Sequence, residues 1–534
     1  MKRMLVRMKE HRIMKEMTPI LFLIGIVSSL GAASAGYDSG WWSTFMTNQS
    51  ALKDYGSKNP ATGMYYMNSK YQSAGTGLGN AGIMLGALLF APVGEIFGRK
   101  MSIIASSIVS IIGAIISCSS SNSFWCMVMG RFINSFGIGI ANAIVPIYLS
   151  ETAPASIRGT LTSFYQWFYT FGQFWAFFVI YFTYDYKSKW SYMTVIVVQV
   201  VIPAMMLILT PFLVESPRWL ISKGKTDRAK ISLSKIYGRM TNHNIDQEIS
   251  EVKMAHELLV KHRKDCKYVD LFKGVNLRRT LLAIAVPCFL YGQGVSFMSS
   301  YLVLFLVTLG VGEVQMIMLI IMAVLLVTNT FSFWGTDKFG RRPVLLIPAL
   351  AMGISFYIVA GASYYVDTSA SRNTAVAFLF IWSIIYGATW APLTHITAAE
   401  IPSSQLREKT LSVATFLSFG ISMMISFVNP FIQNEGYGNL QGRVGFMYGS
   451  ISFIACGFIY FFLPEVKGLS LDVVDTLFEL NTRTSKFYEE GKKLMKEGKY
   501  LQIDTVLSNA TSREEAKEEI KTLKSNINIT IEKK

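Results

Sequence analysis

The sequence predicts an all-α membrane protein whose twelve transmembrane helices form two pseudo-symmetric six-helix bundles. Three observations carry this. Apolar stretches of about 20 residues, each long enough to cross a bilayer as a helix, recur along the 534 residues. Only 16% of the residues are charged and 51% are hydrophobic, whereas a soluble domain is about a quarter charged. The turn "EIFGRK", Glu95 to Lys100, returns as "DKFGRR", Asp337 to Arg342, at the matching place in the second half.

The elements follow in order. Residues 1–18 are a basic arm, too charged for the apolar segment of a secretory leader. Spans are expected to start near 19, 74, 101, 125, 160 and 190, and again near 279, 314, 343, 374, 409 and 443. Helices are the form these spans take, because a helix satisfies its own backbone hydrogen bonds in lipid. The even count puts both termini on one side, and the basic arm makes that side the cytosol. The first bundle is read as 19–214 and the second as 279–464. Between them, residues 215–278 turn polar and rich in Lys and Arg, with helical periodicity in "TDRAKISLSKIYG". Residues 465–534 form a charged, helix-prone cytosolic tail. The loop 45–72 then lies outside and carries the sequon "NQS" at Asn48, a glycosylation candidate; the sequons at Asn509 and Asn528 fall in the tail. Cys118, Cys126, Cys266, Cys288 and Cys456 show no metal spacing and read as free thiols, with a Cys118–Cys126 pairing as the alternative.

The net charge of +16 lies mostly between spans on the cytosolic side, which excludes a nucleic-acid binder and fits positive-inside loops. The repeat reaches further than one turn. Glu151 and Arg158 in "ETAPASIR" have the spacing of Glu400 and Arg407 in "EIPSSQLR", and each pair follows the fourth span of its half. Two matches at corresponding places argue for a duplicated six-span unit. Glu95, Gly98, Arg99 and Lys100, with Asp337, Gly340, Arg341 and Arg342, are candidates for a cytosolic gate, the glycines permitting the bend and the arginines presenting a fork to Glu151 and Glu400. The plainer alternative is a set of positive-inside anchors.

These residues carry a resemblance. The chain resembles the sugar porter family of the major facilitator superfamily in "GRFINSFGIGI" (130–140), "PIYLSETAPASIRG" (146–159), "ESPRWL" (215–220), "DKFGRRP" (337–343) and "PEVKG" (464–468), over about residues 19–475. "GQF" (172–174), "GQG" (292–294) and "EIPSSQLREKT" (400–410) are most similar to fungal α-glucoside, lactose and hexose permeases. The resemblance implies the two-bundle fold and alternating-access transport of a neutral sugar.

An ionisable residue inside a span is a functional candidate by default, and Asp38 in "SAGYDSGWW" is the sharpest. By the resemblance it is the protonation site, paired with Arg131 of "GRF"; protonation would release the pair and bias the gate. A structural ion pair is the alternative. Gln166 and Gln293 match the family's sugar-contacting glutamines, and Gln173 lies on the same helix face as Gln166; helix–helix hydrogen bonding is the alternative for each. Span seven departs from the family pattern: Gly292 precedes Gln293, the usual Asn is missing, and Ser296, Ser300 and Tyr301 offer hydroxyls instead. In span ten, His395 stands where the family has a pocket Trp, a candidate for bonding a sugar hydroxyl or titrating near neutral pH with a packing His as the alternative, and Trp390 is a candidate for stacking on a sugar ring or for the lipid interface. Asn329 is a further polar candidate on span eight.

The sequence therefore points to a secondary sugar transporter with proton symport, acting as a monomer in the plasma membrane. Its partners are a small sugar, protons and the bilayer, without nucleic acid, cofactor or metal. A facilitative uniporter, a porter of polyols or other carbon sources, and a non-transporting sugar sensor are the alternatives. No phosphate-binding loop and no nucleophile–base pair supports an enzyme.

Overall fold

The structure is a computed structural model that describes residues 18–497 apart from 59, 61–62, 121–122, 154–157, 238–248, 251–252, 254–266, 366–367, 404–405, 435–436 and 470. Among the described residues, nine helices are long and apolar enough to cross a membrane. They are the first span (Pro19–Phe45), third (Arg99–Cys118), fourth (Phe124–Thr152), sixth (Trp190–Phe212), seventh (Gly274–Ser300), ninth (Arg341–Ala362), tenth (Ser369–Glu400), eleventh (Lys409–Gln433 within Arg407–Gln433) and twelfth (Gln441–Phe462). Three further helices bring the crossings to twelve: the second span (Ser69–Phe97), the fifth (Arg158–Thr183) and the eighth (Val314–Phe339). The second and fifth are less apolar for a reason. Both line the seam between the two halves and spend positions on polar side chains there.

The two halves repeat their local devices. Each second-to-third and eighth-to-ninth connection is a single glycine, Gly98 at φ 97° and Gly340 at φ 93°, a backbone region that side-chain-bearing residues rarely enter. A Cβ on Gly98 would stand 2.6 Å from Glu215 Oε2, and one on Gly340 would stand 2.7 Å from Glu465 Oε2. Span seven is broken at Tyr291–Val295 by a π-type turn in which Gly294 has φ 108°, a kind of irregularity common at functional sites. Span ten breaks at Thr389 into Ser369–Ala388 and Trp390–Glu400.

Outside the spans, a short helix (Gln49–Tyr55) and a two-residue hairpin pairing Ser57–Lys58 with Tyr65–Tyr66 follow span one. Helices Pro217–Ser222 and Thr226–Tyr237 follow span six, and Leu471–Glu479 and Phe487–Glu497 follow span twelve. Leu471–Glu479 docks on the start of span seven, where Arg279, fully buried, bonds Asp475 at 2.7 Å and lies over the Phe478 ring at 4.8 Å, and Phe487–Glu497 packs on it through Phe487 against Phe478.

The halves meet along spans two and eleven, five and eight, and one and seven. Across the first seam Ser73 Oγ donates to the Phe427 carbonyl at 2.7 Å, Asn80 Nδ2 to Ser426 Oγ at 3.0 Å, and Asn434 Nδ2 to Ser69 Oγ at 2.9 Å. Across the second, Asn329 Nδ2 donates to Thr170 Oγ1 at 2.6 Å and Trp167 Nε1 to Thr330 Oγ1 at 3.0 Å. The seam is thus tied shut at the Ser69 and Asn434 end. Toward the charged turns, His395 is exposed, five residues before Glu400.

Candidate functional site

Asp38 and Arg131 form a buried ion pair, Arg131 Nη2 to Asp38 Oδ2 at 3.0 Å, with 3% and 6% of each residue exposed. A charge removed from water is tolerable only when paired and hydrogen-bonded, and both partners are. Asp38 Oδ1 also accepts from Gln199 Nε2 (3.0 Å), Asn134 Nδ2 (3.2 Å) and Trp41 Nε1 (3.3 Å). Arg131 Nη1 donates to the Gly75 carbonyl at 2.9 Å, and the guanidinium lies 4.4 Å from the Trp42 ring centroid. The next residue, Thr76, accepts from Trp42 Nε1 at 3.0 Å and meets Tyr301 of the other half. Tyr301 in turn donates to the Ser426 carbonyl at the seam. A continuous set of contacts therefore runs from the ion pair to the closed end. Asn134, Gln199 and Trp41 were not candidates from sequence, although Asn134 lies three residues after Arg131 on the same helix face.

The remaining polar candidates sort into three places. Gln166 is half-buried on span five, and around it Tyr165, Tyr169, Tyr291 and Tyr386 come from spans five, seven and ten to within electrostatic reach of one another. The four tyrosines keep some accessible surface, and His395 is exposed. The tyrosines were not candidates from sequence.

Gln293 occupies a second place, in the broken turn of span seven two residues after Tyr291. It is fully buried, and among the described residues neither its Oε1 nor its Nε2 has a hydrogen-bond partner. An unmet buried amide is costly, about 1–3 kcal/mol, and native proteins hold few of them. Ser300 is half-buried nearby.

The third group belongs to packing and seams in this conformation. Gln173 is 8% exposed against span one. Ser296 shares a hydrogen bond with Ser422 at 3.1 Å, Tyr301 is sealed at the closed end, and Asn329 ties span eight to span five. Trp390 corrects the expectation of a sugar-stacking or lipid-facing ring. It has no accessible surface, and its Nε1 donates to the Leu345 carbonyl of span nine at 3.0 Å.

At the charged turns, Arg99 forks onto Glu151 (Nε to Oε2 3.0 Å, Nη2 to Oε1 2.8 Å), and Arg341 forks onto Glu400 (3.2 and 3.1 Å). Both forks lie within one half, tying the start of the third or ninth span to the end of the fourth or tenth. Two carboxylates complete them. Glu215 accepts from the backbone N–H groups of Arg99, Lys100 and Ser216, and Glu465 from those of Arg341, Arg342 and Lys467. Each caps a helix N-terminus, where a negative charge is favoured. Burial outweighs these bonds at Glu215 and raises its pKa above the usual carboxylate value. Glu215 and Glu465 were not singled out from sequence, although each follows the last span of its half, in "ESPRWL" and "PEVKG". Lys100 Nζ and Arg342 Nη2 donate to the carbonyls of Pro211 and Tyr460, and the Glu95 carbonyl accepts from Trp219. Arg407 is half-buried at the start of span eleven, and the side chains of Arg158 and Asp337 lie outside the described residues.

Asn48 corrects the glycosylation expectation. It caps Gln49–Tyr55 by accepting from Ser50 N and Ala51 N, and its Nδ2, the atom a glycan would occupy, donates to Ser191 Oγ at 2.6 Å with the residue 3% exposed. Cys118, Cys126, Cys288 and Cys456 are free thiols; Cys266 and the two tail sequons lie outside the described residues.

Comparison with known proteins agrees with this architecture. The chain is 30% identical over 488 residues to the major facilitator-type transporter ecdD of Aspergillus rugulosus, covering 86% of this chain and 87% of the relative. It is 29% identical over 473 residues to the probable glucose transporter rco-3 of Neurospora crassa, covering 86% and 79%. Among solved structures, the proton:xylose symporter XylE of E. coli, bound to 6-bromo-6-deoxy-D-glucose, superposes with a TM-score of 0.71 at 23% identity, over 86% of this chain and 99% of the other, which shows a shared fold. The family of sugar (and other) transporters matches residues 24–478, and this multi-pass membrane chain belongs to it.

Proposed function

We propose that the chain moves a neutral sugar of hexose size across the membrane by alternating access, with a proton exchanged at the Asp38–Arg131 pair. The observation that carries the proposal is Gln293: a buried amide whose donor and acceptor are both unmet among the described residues, in a glycine-flanked break of a span that meets the other half. A sugar hydroxyl both donates and accepts, so it meets that amide without a charge having to be desolvated. Gln166 and the tyrosines supply further polar edges and ring faces, and His395 is an exposed imidazole on span ten. The glucose transporter among the relatives supports a hexose.

On this reading the basic loops place both termini and the charged turns in the cytosol of a plasma-membrane protein acting as a monomer. The bundles are 19–214 and 279–464, joined by 215–278 and followed by the tail 465–534. The closed Ser69 and Asn434 end is then the outer gate. The charged turns, including Glu95, Arg158, Asp337 and Arg407, are end-plates that keep each half rigid and meet across the seam when the cytosolic end closes. Protonation of Asp38 frees Arg131 from one partner and loosens the contacts that run through Gly75 and Thr76 to Tyr301 at the outer gate, so the proton biases that gate.

A second reading, facilitated uptake without a proton, is favoured by one observation. Asp38 Oδ1 already receives donors from Gln199, Asn134 and Trp41, so a proton there has to turn one of them out. Uptake of labelled D-glucose, other monosaccharides, disaccharides and polyols in a transporter-null yeast, with and without an uncoupler, separates the two. Uncoupler-sensitive accumulation that Asp38→Asn abolishes while exchange survives supports symport. Downhill uptake indifferent to both supports the uniporter, and no uptake of any carbohydrate overturns the transport reading.

A further inference from the structure

A groove of about 670 Å³ lies outside the transport path, where spans two and six end and the helix Thr226–Tyr237 folds back against them. Its walls have two chemistries. Phe97 and Phe212, at the ends of spans two and six, are 63% and 75% exposed, and Ile231 is 57% exposed. Lys225, Arg228 and Lys235 are exposed around the same groove. Arg228, Ile231, Ser232 and Lys235 stand at i, i+3, i+4 and i+7, so one helix face delivers both chemistries to it. The acid in the lining, Glu215, is occupied by three backbone N–H groups, and Lys100 is turned onto the Pro211 and Leu213 carbonyls. Among the described residues, the charge left facing the groove is positive, with Lys225 over the Trp219 ring at 5.5 Å. Below it, Ile208 on span six is 65% exposed, an apolar surface where a spanning helix meets lipid.

We propose that this groove holds the headgroup of an anionic phospholipid from the adjacent leaflet, with the acyl chains running down past Phe97, Phe212 and Ile208. Cations above and apolar rings below match the two ends of such a lipid, whereas a soluble anion has no use for the rings. The site straddles the Gly98 turn and the helix Thr226–Tyr237, so an occupant fastens that helix to the first half.

The test is lipid binding to the full-length protein in detergent, followed by native mass spectrometry with phosphatidylserine and phosphatidylcholine. The wild type is expected to bind phosphatidylserine at least tenfold more tightly. Each surface cation near an anionic lipid is worth about a factor of five, so Lys225→Ala/Arg228→Ala/Lys235→Ala together weaken phosphatidylserine binding by about a hundredfold and leave phosphatidylcholine unchanged. The charge-preserving set Lys225→Arg/Arg228→Lys/Lys235→Arg keeps the binding, which separates lost charge from lost fold. Lys53→Ala/Lys58→Ala/Lys70→Ala, at the opposite end, also leaves it intact. Unchanged phosphatidylserine affinity in the triple alanine variant overturns the proposal. So does displacement of the lipid by millimolar inorganic phosphate, which would make the site one for free anions.

Discussion

Replacing Gln293 with leucine is expected to stabilise the protein while damaging its function. Leucine is close to glutamine in volume, and the backbone at Gln293 (φ −83°, ψ 21°) makes no demand for a special side chain. The substitution removes a buried amide whose two polar atoms have no partner among the described residues, left unmet at a cost of about 1–3 kcal/mol. A gain of about 1–3 kcal/mol follows, because replacing an unsatisfied polar group by an apolar one of the same shape recovers its desolvation. For a chain of this length that is a rise in melting temperature of roughly 1–3 °C. If the amide bonds two sugar hydroxyls, its loss removes about 1–3 kcal/mol of binding, or roughly 5- to 150-fold in Kd. Tryptophan-fluorescence melting in detergent reads the first quantity, and equilibrium binding of radiolabelled D-glucose reads the second. A fall in melting temperature with unchanged sugar affinity would refute the reasoning and make Gln293 a structural residue.

Two other substitutions test the surroundings. Glu215→Ala leaves the N–H groups of Arg99, Lys100 and Ser216 without their acceptor and should cost about 1–3 kcal/mol. Glu215→Gln keeps an acceptor and should cost less. Because burial raises the Glu215 pKa, the folded chain keeps a proton that the unfolded chain has lost, so this group favours folding on the acid side and that contribution fades as pH rises through its folded pKa. Melting curves from neutral pH down toward 4.5 should therefore show a pH slope in the wild type that Glu215→Gln flattens; an unchanged slope contradicts the assignment. Glycosidase treatment of protein made in yeast should leave its mobility unchanged, and Asn48→Ala should lower stability by about 1 kcal/mol through the lost helix cap. A mobility shift that disappears in Asn48→Ala would show that the loop opens.

Much of the architecture was legible because lipid forces long apolar helices and because the charged turns repeat. Span starts agree closely, the differences arising where polar first turns extend a helix: span two begins at Ser69 rather than near 74, span seven at Gly274 rather than near 279, and span ten at Ser369 rather than near 374. The forks from Arg99 to Glu151 and from Arg341 to Glu400 were also legible, since each pairs a turn with a motif that recurs. Glu215 was not, because its partners are backbone groups, those of Arg99 and Lys100 more than a hundred residues earlier, and leave no side-chain pattern. The facing of a residue within an all-apolar helix is likewise invisible to periodicity. Hence Trp390 looked available and is buried, while Tyr165, Tyr169, Tyr291 and Tyr386 were not singled out and come together between spans five, seven and ten. At Asn48 two signals competed. The sequon was read, and the equally local helix-cap signal, Asn before a helical run, prevailed in the fold.

The central claim is that the two halves rock apart at the end now closed by spans two and eleven. Asn80 Nδ2 and Ser426 Oγ lie 3.0 Å apart across that seam, so cysteines at both positions, with the native cysteines replaced by serine, can form a cross-link between the halves. Sugar uptake by reconstituted vesicles carrying Asn80→Cys/Ser426→Cys should stop on oxidation and return on reduction, while either single variant transports throughout. Full uptake by the cross-linked protein would contradict the account.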